Sequence, residues 1–471
     1  MPSTIKKLKH PLFIVFVYLL IHFLIRISLS DTIQVDDREQ IITAQFLQLG
    51  YNMPQPPLYS WISWVFFQVF DSTLLATTLV KYTLIFLTLF FLWKLLLELF
   101  HDQRIVVIAF YSFALMPSFF WHMHQGFTHT ILLGFSIIGT VYSLILTKKD
   151  NSPKNYLFLG LFISIGLMSK YSFPIFLTAL FFALFSISGY RKIIVSRKVS
   201  ILLFPLTVIA LPHIIWLINN FVEISGQANQ KLNLGETLNF HASSIITFFT
   251  SIIGFITPLF LFLIFILFKK NNAKKNHSEE VRLFRNFYIF TFLVSILFTL
   301  FIEIPEVKVR WLHPIMMLFP VWFFLEKNNS SLYSEKFTKF FYSFVLALSI
   351  LVIVIRILQN TVAPELGFAG RLNTPIVKTL EKIPEKYLHS SRLIVKDYSI
   401  AAHSLGLFKN NEIFFGRLLN KNFDNNSKYC LFIDIKPTEN IKRSLSKGSV
   451  STKYGDKVYE IFYVYTDRKE C

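Results

Sequence analysis

The sequence predicts a polytopic α-helical membrane protein that ends in a small α/β soluble domain. Hydrophobic residues make up 53% of the 471 residues, Phe alone occurs 54 times, and the mean hydropathy is +0.51. Apolar runs of about 20 residues, enough to cross a bilayer core of ~30 Å as a helix, recur along most of the chain. These runs do not alternate apolar and polar residues, so an outer-membrane barrel does not fit.

Each apolar run defines one predicted membrane span. We predict about eleven transmembrane helices, at 12–29, 73–99, 105–121, 127–147, 155–169, 172–188, 200–219, 244–268, 286–303, 311–325 and 338–357. The first is a span and not a removable signal, because many more follow it. The apolar segment 52–70 is broken by prolines and ends at Asp71, so we interpret it as a helix at the membrane interface. A twelfth span there would invert the orientation of everything that follows.

The basic residues predict the orientation, because short cytoplasmic loops carry the excess of Lys and Arg. If 52–70 does not cross, four basic groups share one side: Lys6, Lys7 and Lys9; Lys148, Lys149 and Lys154; Arg191, Lys192, Arg197 and Lys198; and Lys269, Lys270, Lys274, Lys275, Arg282 and Arg285. The amino terminus is then cytoplasmic and the carboxyl terminus periplasmic, in a bacterial inner (plasma) membrane. Orientation and contact with membrane lipids explain the net charge of +19 without any nucleic acid.

The composition changes to that of a soluble domain near residue 360. We therefore predict a transmembrane domain over 1–358, with a first outer loop at 30–71, and a periplasmic α/β domain over 359–471. The apolar pattern predicts strands at 391–395, 412–415, 429–435 and 458–465 and a helix at 375–386. The two cysteines, Cys430 and Cys471, both fall in this domain, and the sequence leaves open whether they form a disulfide or stay free thiols.

Carboxylates, imidazoles and cations from five separated segments gather in the predicted outer loops. They are Asp36, Asp37, Arg38 and Glu39; Gln55 and Tyr59; His122, His124 and His129; Lys170 and Tyr171; and Lys308, Arg310 and His313. Orientation alone accounts for the Lys and Arg of the cytoplasmic loops. The simplest interpretation is an active site at the outer surface of the membrane.

Structural explanations compete with each of these assignments. Asp36 and Asp37 could cap an interfacial helix, since acids favour helix N-termini, and Lys170 and Arg310 could be snorkelling anchors. Lys81 lies too deep in its span to snorkel easily, so we expect it to face the interior or a partner acid. The spacing of the acidic pair to the downstream Gly-Tyr and Pro-Pro motifs favours a functional role.

The three histidines of the second outer loop, His122, His124 and His129, have the residue type of a metal site. Histidine also serves as an amphipathic anchor at interfacial depth, and we favour that interpretation. The sequence therefore predicts no metal site and no certain cofactor, although it leaves a divalent cation open.

An acidic pair among cations at this depth suits one kind of chemistry. A carboxylate can remove a proton from an attacking acceptor hydroxyl or amine, while Lys and Arg stabilise a phosphate leaving group. The sequence contains neither GxxxxGK[ST] nor a Rossmann GxGxxG, so nucleotide binding is not indicated. The pattern favours glycosyl transfer from a polyprenyl-phosphate sugar, whose lipid tail would lie against the helices.

The order of Asp36–Asp37, Gln45, Gly50–Tyr51 and Pro56–Leu58 resembles the first outer loop of the protein O-mannosyltransferase and lipid A aminoarabinose transferase family. These proteins have the C-type glycosyltransferase fold. Further along, the Lys-Tyr at 170–171 and the Arg-Trp-x-His-Pro segment at 310–314 resemble two other family segments, and Lys81 stands where relatives often carry Arg. The resemblance extends over residues 10–325.

The resemblance implies a role for each candidate. Asp36 falls on the family's catalytic Asp, and Asp37 on its neighbouring Glu, with the charge kept. The predicted donor phosphate-binding residues are Lys170, Arg310, Lys308 and His313, and the predicted substrate-binding residues are Gln55, Tyr59, Lys81, His129 and Tyr171. Two positions depart from the family: His129 replaces an Asp, and Gln55 replaces a Lys or His.

The sequence therefore predicts an inverting glycosyltransferase that moves a monosaccharide from a polyprenyl-phosphate donor to an envelope acceptor, lipid A or another glycan, on the periplasmic face. A transporter or flippase of lipid-linked sugars is an alternative, and a protein O-glycosyltransferase is another. Transporters tend to show paired halves and charges near the bilayer midplane, whereas here the charges gather on one face and a soluble domain follows. Neither the sugar nor the acceptor can be chosen from the sequence.

Overall fold

The computed structural model describes residues 3–51, 55–71, 73–232, 242–268, 278–301, 307–368, 370, 372–389, 391–419, 428–437 and 444–467. Several residues of the sequence predictions lie outside this set. They are Lys269, Lys270, Lys274 and Lys275 of the predicted basic loop, and Cys471 at the carboxyl end.

Helices dominate the described part of the chain. They are α1 (Ser3–Ser28), α2 (Val35–Thr43), α3 (Leu58–Phe70), α4 (Leu74–Leu99), α5 (Gln103–Ser112), α6 (Pro117–Phe120), α7 (Thr128–Lys149), α8 (Pro153–Leu167), α9 (Phe173–Phe185), α10 (Ser188–Ile194), α11 (Leu203–Pro205), α12 (Leu211–Asn219), α13 (Phe221–Leu232), α14 (Ala242–Ile256), α15 (Leu259–Leu267), α16 (Glu279–Phe301), α17 (His313–Met316), α18 (Phe319–Glu326), α19 (Glu335–Glu365), α20 (Ile376–Leu380), α21 (Glu385–Leu388) and α22 (Tyr398–Leu407). Short 3₁₀ turns cover Phe113–Leu115, His122–His124, Arg197–Leu202, Val309–Leu312 and Ser330–Leu332, and a π turn covers Leu206–Ala210.

The chain is a multi-pass membrane protein. Among the described residues, five helical segments are long and apolar enough to cross a membrane, at Pro11–Ser28, Leu74–Leu99, Thr128–Lys149, Arg197–Asn219 and Glu335–Glu365. Three further helix pairs qualify only if each bent pair counts as one span, which gives up to eight. The predicted number of eleven is therefore not confirmed.

The bent pairs explain much of this difference. The pairs α5–α6, α9–α10 and α14–α15 bend by 73°, 119° and 87°. Pro117 and Pro258 stand at two of the breaks, where a proline removes one helical hydrogen bond. Helix α3 has 13 residues, which is too short to cross the bilayer core, in keeping with an interfacial helix after the prolines.

The chain divides into two compact units. Unit 1 consists of 1–17, 48–59 and 83–350, and its helices pack closely in two pairs, α7 with α8 and α9 with α16. A Cβ atom at Gly139 of α7 would overlap with the ring of Phe162 of α8, so glycine permits the close approach of that pair. At the amino end of α16, Glu279 and Glu280 pair with Lys148 of α7 over 2.9 Å and 2.6 Å.

Unit 2 consists of 18–47, 60–82 and 351–471 and contains a six-stranded sheet. Its strands are β1 (Ser391–Val395), β2 (Ile413–Phe415), β3 (Arg417–Leu418), β4 (Tyr429–Asp434), β5 (Ser444–Tyr454) and β6 (Lys457–Asp467), in the spatial order β3-β2-β1-β4-β6-β5. The central strand β1 runs parallel to β2 and β4, and the outer pairs are antiparallel. Cys430 of β4 is disulfide-bonded.

The four predicted strands are present at nearly the predicted positions, but two strands and α22 were missed. Strand β5 has only two aliphatic residues, Leu445 and Val450, and no fully buried residue, so its sequence carries little apolar signal. The predicted helix at 375–386 is wrong as one element, because Pro384 separates α20 from α21 and a proline disfavours helix at the residue before it.

One apolar core joins the segment predicted as the first outer loop to the sheet within unit 2. Ile41 and Ile42 of α2 pack in the same buried cluster as Ile400 and Ala401 of α22 and Leu393 of β1. The helix that carries the predicted catalytic pair is thus part of the compact unit that holds the terminal sheet.

Candidate active site

Asp36 and Asp37 lie in the first turn of α2, where the partial positive charge of a helix N-terminus favours carboxylates. The two side chains have different surroundings. Asp37 is 1% exposed and shares its helix face with the fully buried Gln40 and Ile41, whereas Asp36 is half-buried. The fold therefore makes the two adjacent acids chemically distinct.

Asp37 forms a buried ion pair with Lys81 of α4. The Lys81 ammonium donates to Oδ2 of Asp37 over 2.8 Å, and the lysine side chain is 3% exposed. The other carboxylate oxygen, Oδ1, is buried and has no hydrogen-bond partner among the described residues. Asp37 is thus held in a buried ion pair, and Asp36 is the more exposed of the two carboxylates.

Hydrogen bonds from α3 fix the position of α2 within unit 2. Ser60 Oγ donates to Oε1 of Gln40 over 2.7 Å, and Thr43 Oγ1 lies 3.4 Å from the same serine hydroxyl. All three side chains are buried. These contacts hold the acidic helix against the helix that follows it.

Two buried arginines accompany this group, and neither was singled out from the sequence. Arg26, at the end of α1, donates to two backbone carbonyls of segment 30–34 over 3.0 Å and 2.7 Å. Arg356 of α19 has its Nη1 3.1 Å from Nδ1 of His22 and 3.3 Å from the hydroxyl of Tyr82. The available signal was an ionisable residue inside an apolar span, which marks a functional or structural polar site by default.

In unit 1, three of the predicted site residues come together from separate segments. The ring of Tyr59 lies 5.5 Å from the ring of His129, whose Nδ1 is 3.3 Å from the carbonyl oxygen that precedes Lys170. The Lys170 ammonium donates to the hydroxyl of Thr130 over 3.0 Å. Gln55 buries its Oε1 with no hydrogen-bond partner in the part of the chain that the structure describes.

Tyr171 belongs to a second polar chain of unit 1, built on a histidine that the sequence did not reveal. Its hydroxyl lies 3.2 Å from Nε2 of His213, and Nδ1 of this histidine lies 2.8 Å from the carbonyl oxygen of Leu49. Next to Leu49, a Cβ atom at Gly50 would overlap with the ring of Trp216. Glycine is therefore required at this position of the Gly-Tyr motif.

The last predicted group, Lys308, Arg310 and His313, lies in one segment, but its side chains have different surroundings. His313 is fully buried, packs edge-on against Phe127 at 5.6 Å, and hydrogen-bonds the backbone carbonyl of Arg310 over 3.0 Å. The Arg310 side chain is exposed, and the Lys308 ammonium lies 5.8 Å from the ring centroid of Trp311. Of the four predicted phosphate ligands, His313 would bear the largest desolvation cost as a cation.

No group of three or more His, Cys, Asp or Glu side chains could hold a metal ion in the described part of the chain. His129, one of the three histidines considered for a metal, instead packs against Tyr59.

Comparisons with known proteins show which class of protein this chain resembles. Residues 54–216 match the family of dolichyl-phosphate-mannose-protein mannosyltransferases. Two relatives from Rhizobium johnstonii are lipopolysaccharide core galacturonosyltransferases. RgtB is 27% identical over 392 residues, which cover 82% of this chain and 78% of RgtB, and RgtA is 23% identical over 321 residues, which cover 67% and 64%.

The fold is shared with a solved structure. ArnT from Cupriavidus metallidurans, crystallised with bound undecaprenyl phosphate, has a TM-score of 0.59 at 10% identity, with 97% of this chain and 98% of ArnT covered. The chain is a membrane glycosyltransferase of the C-type fold. The resemblance to the protein mannosyltransferase and aminoarabinose transferase family, inferred above from the sequence, is confirmed.

Proposed function

We propose that this protein is an inverting glycosyltransferase that moves a monosaccharide from a polyprenyl-phosphate donor to a lipopolysaccharide core or lipid A acceptor on the periplasmic face of a bacterial inner membrane. Asp36 is the general base. The observation that carries the proposal is the contrast on α2: Asp37 is buried and paired with Lys81, whereas Asp36 is only half-buried in the first turn of the helix.

In the proposed step, an acceptor hydroxyl attacks the anomeric carbon of the donor sugar as its proton passes to the Asp36 carboxylate. The new bond joins the acceptor oxygen to the anomeric carbon. The bond from that carbon to the phosphate oxygen breaks, and the polyprenyl phosphate leaves with the electron pair. Attack opposite the leaving group inverts the anomeric centre.

Cations of unit 1 are proposed to neutralise the phosphate. Lys170 is the first candidate, because its ammonium is anchored on the hydroxyl of Thr130 and so starts from a fixed position. Arg310 and Lys308 have long side chains, and their positive charges can add to that of Lys170. His313 contributes through its packing. Gln55, Tyr59, His129 and Tyr171 are proposed to contact the sugar or the acceptor.

The relatives support the choice of substrates. RgtA and RgtB are named for galacturonosyl transfer to the lipopolysaccharide core, and the ArnT structure holds undecaprenyl phosphate. Galacturonic acid is therefore the first sugar to test. The disulfide at Cys430 supports a periplasmic terminal domain, because disulfides persist in oxidising compartments.

Mass spectrometry of lipopolysaccharide core and lipid A from cells that carry the wild-type chain, a deletion, Asp36→Asn or Asp31→Asn tests this proposal. Asp31→Asn is the matched control, since Asp31 is an exposed acid of the same loop. We expect one glycan to lose a single sugar in the deletion and in Asp36→Asn, at normal membrane levels, and to keep it in Asp31→Asn. Unchanged core and lipid A in the deletion would overturn the proposed acceptor, and full transfer by Asp36→Asn would overturn the proposed base.

A further inference from the structure

The segment that leads into the acidic helix is hydrogen-bonded to the terminal domain within unit 2. Ser30 Oγ donates to the carbonyl of Leu372 over 2.6 Å, and Thr32 Oγ1 donates to the carbonyl of Thr374 over 2.7 Å. These partners lie 342 residues apart in the sequence. The chain just before the catalytic pair is thus held by residues from its far end.

The third bond of this group involves a buried histidine of α22. The backbone N–H of Ile33 donates to Nε2 of His403 over 2.9 Å, and Nδ1 of His403 lies 2.6 Å from the carbonyl oxygen of Ser399, one turn earlier in α22. Because Nε2 accepts, the proton of the neutral ring is on Nδ1 and is donated to Ser399. The side chain of His403 is 2% exposed, so water does not compete for either bond.

Ile33 connects this histidine to α2. Its N–H is bound by His403, and its carbonyl accepts from Nε of Arg38 in α2 over 2.7 Å. Asp36 follows three residues after Ile33. A shift of the His403 ring would therefore move the backbone at Ile33, and with it the acidic pair that begins three residues later.

We propose that His403 is a positioning residue for the transfer reaction: its Nε2 fixes the backbone at Ile33 and so sets the position of the Asp36 carboxylate. The terminal domain thereby becomes part of the catalytic apparatus without touching substrate. This inference rests on the proposed function. It explains why α22, an element of the soluble domain, shares its apolar core with the outer-loop helix α2.

Two substitutions of His403 distinguish the effect of its hydrogen bond to Ile33 from the effect of its side-chain volume. In His403→Gln, the side-chain oxygen reaches the place of Nε2 and can accept from Ile33, whereas in His403→Asn the shorter side chain reaches only as far as Nδ1. We expect His403→Asn to lower kcat by about 10- to 100-fold with KM little changed, because small misplacements of a reacting group cost rates of this order. His403→Gln should retain most of the wild-type kcat.

The assay uses the full chain in membranes or detergent with a polyprenyl-phosphate sugar and purified core acceptor. No transfer by the wild-type chain would overturn the proposed function itself. Transfer by the wild type together with equal kcat for His403→Asn, or equal losses for His403→Asn and His403→Gln, would overturn the positioning role alone. If His403→Asn does not fold, Thr32→Val, which removes the neighbouring bond to Thr374, decides instead: a several-fold fall in kcat at constant KM supports the proposal, and wild-type kcat contradicts it.

Discussion

The two compact units hold their charges in different ways. In unit 2, Asp37 and Lys81 neutralise each other in an environment that excludes water, with side chains 1% and 3% exposed. In unit 1, Lys170 donates to the neutral hydroxyl of Thr130, and Arg310 is exposed. Each charge of the buried Asp37–Lys81 pair depends on the other for its stability, whereas Arg310 of unit 1 is exposed to solvent. We propose a framework role for the Asp37–Lys81 pair of unit 2, next to the proposed base Asp36, and a phosphate-binding role for Lys170 and Arg310 of unit 1.

Removing one partner of the buried Asp37–Lys81 pair should have the largest effect on stability. We expect Asp37→Asn to lower the free energy of unfolding by about 3–5 kcal/mol, because it leaves the Lys81 ammonium buried without a counter-charge. Lys81→Met should have a similar cost. The double variant should lose much less than the sum, since removing both charges leaves neither ion buried without its partner.

Equilibrium unfolding of the purified full chain measures these differences. Asp36→Asn serves as the control and should change the free energy of unfolding by less than about 1 kcal/mol, because Asp36 is half-buried at the helix terminus. Additive losses in the double variant would show that Asp37 and Lys81 do not act as a pair.

The next largest effect is the dependence of stability on pH. The pKa of His403 is lowered from 6.5 to about 4, mainly by burial; the hydrogen bond to Ser399 opposes this shift, and the nearby charges of Arg38 and Arg26 add to it. The unfolded chain therefore binds the extra proton between pH 6.5 and pH 4, and stability falls as the pH drops through this window. The shift corresponds to about 3 kcal/mol, all of it present above pH 6.5. Thermal unfolding of the wild type should show this fall more steeply than that of His403→Gln, and equal pH dependence would contradict the assignment.

The parts of the candidate site that carry an ordered motif could be proposed from the sequence. Asp36, Asp37 and Lys170 became candidates because the acidic pair, the Gly-Tyr and the Lys-Tyr stand in a recognisable order, and the deep position of Lys81 predicted a partner acid. The pairing of Lys81 with Asp37 in particular could not be predicted, because it depends on how α4 packs against α2, 44 residues away.

Other features gave weak local signals or none. His403 and His213 act through backbone carbonyls and N–H groups that lie far away in the sequence, so no motif accompanies them. Strand β5 pairs along β6 through its backbone, and of its two aliphatic residues only Val450 packs against the core. Apolar runs predicted membrane helices, but two of these runs form bent helix pairs that break at Pro117 and Pro258. Whether a run forms one straight helix or a bent pair depends on packing around the break.

A smaller effect should follow from changing the cation of unit 1. We expect Lys170→Met to lower kcat by about 10- to 100-fold, the range for loss of one charged hydrogen bond in a transition state. Lys170→Arg should keep part of the activity, since the charge remains. Lys149→Met is the control, because Lys149 pairs with Glu98 and is 53% exposed. Initial rates with a polyprenyl-phosphate sugar decide the matter, and a wild-type kcat for Lys170→Met would exclude the proposed phosphate contact.

The smallest effect belongs to an ion pair with nearly the same geometry as the buried one. Lys409 and Asp71 lie 2.7 Å apart, but their side chains are 57% and 69% exposed, so water and salt screen their attraction. We expect Asp71→Asn to lower the free energy of unfolding by less than about 1 kcal/mol, and less still at high salt. Asn is the appropriate replacement because Asp71 has a φ of 57°, a conformation that Asn tolerates better than most residues. If Asp71→Asn and Asp37→Asn cost the same in parallel unfolding experiments, burial would not be what separates the two pairs, and the framework role assigned to Asp37 and Lys81 would lose its physical basis.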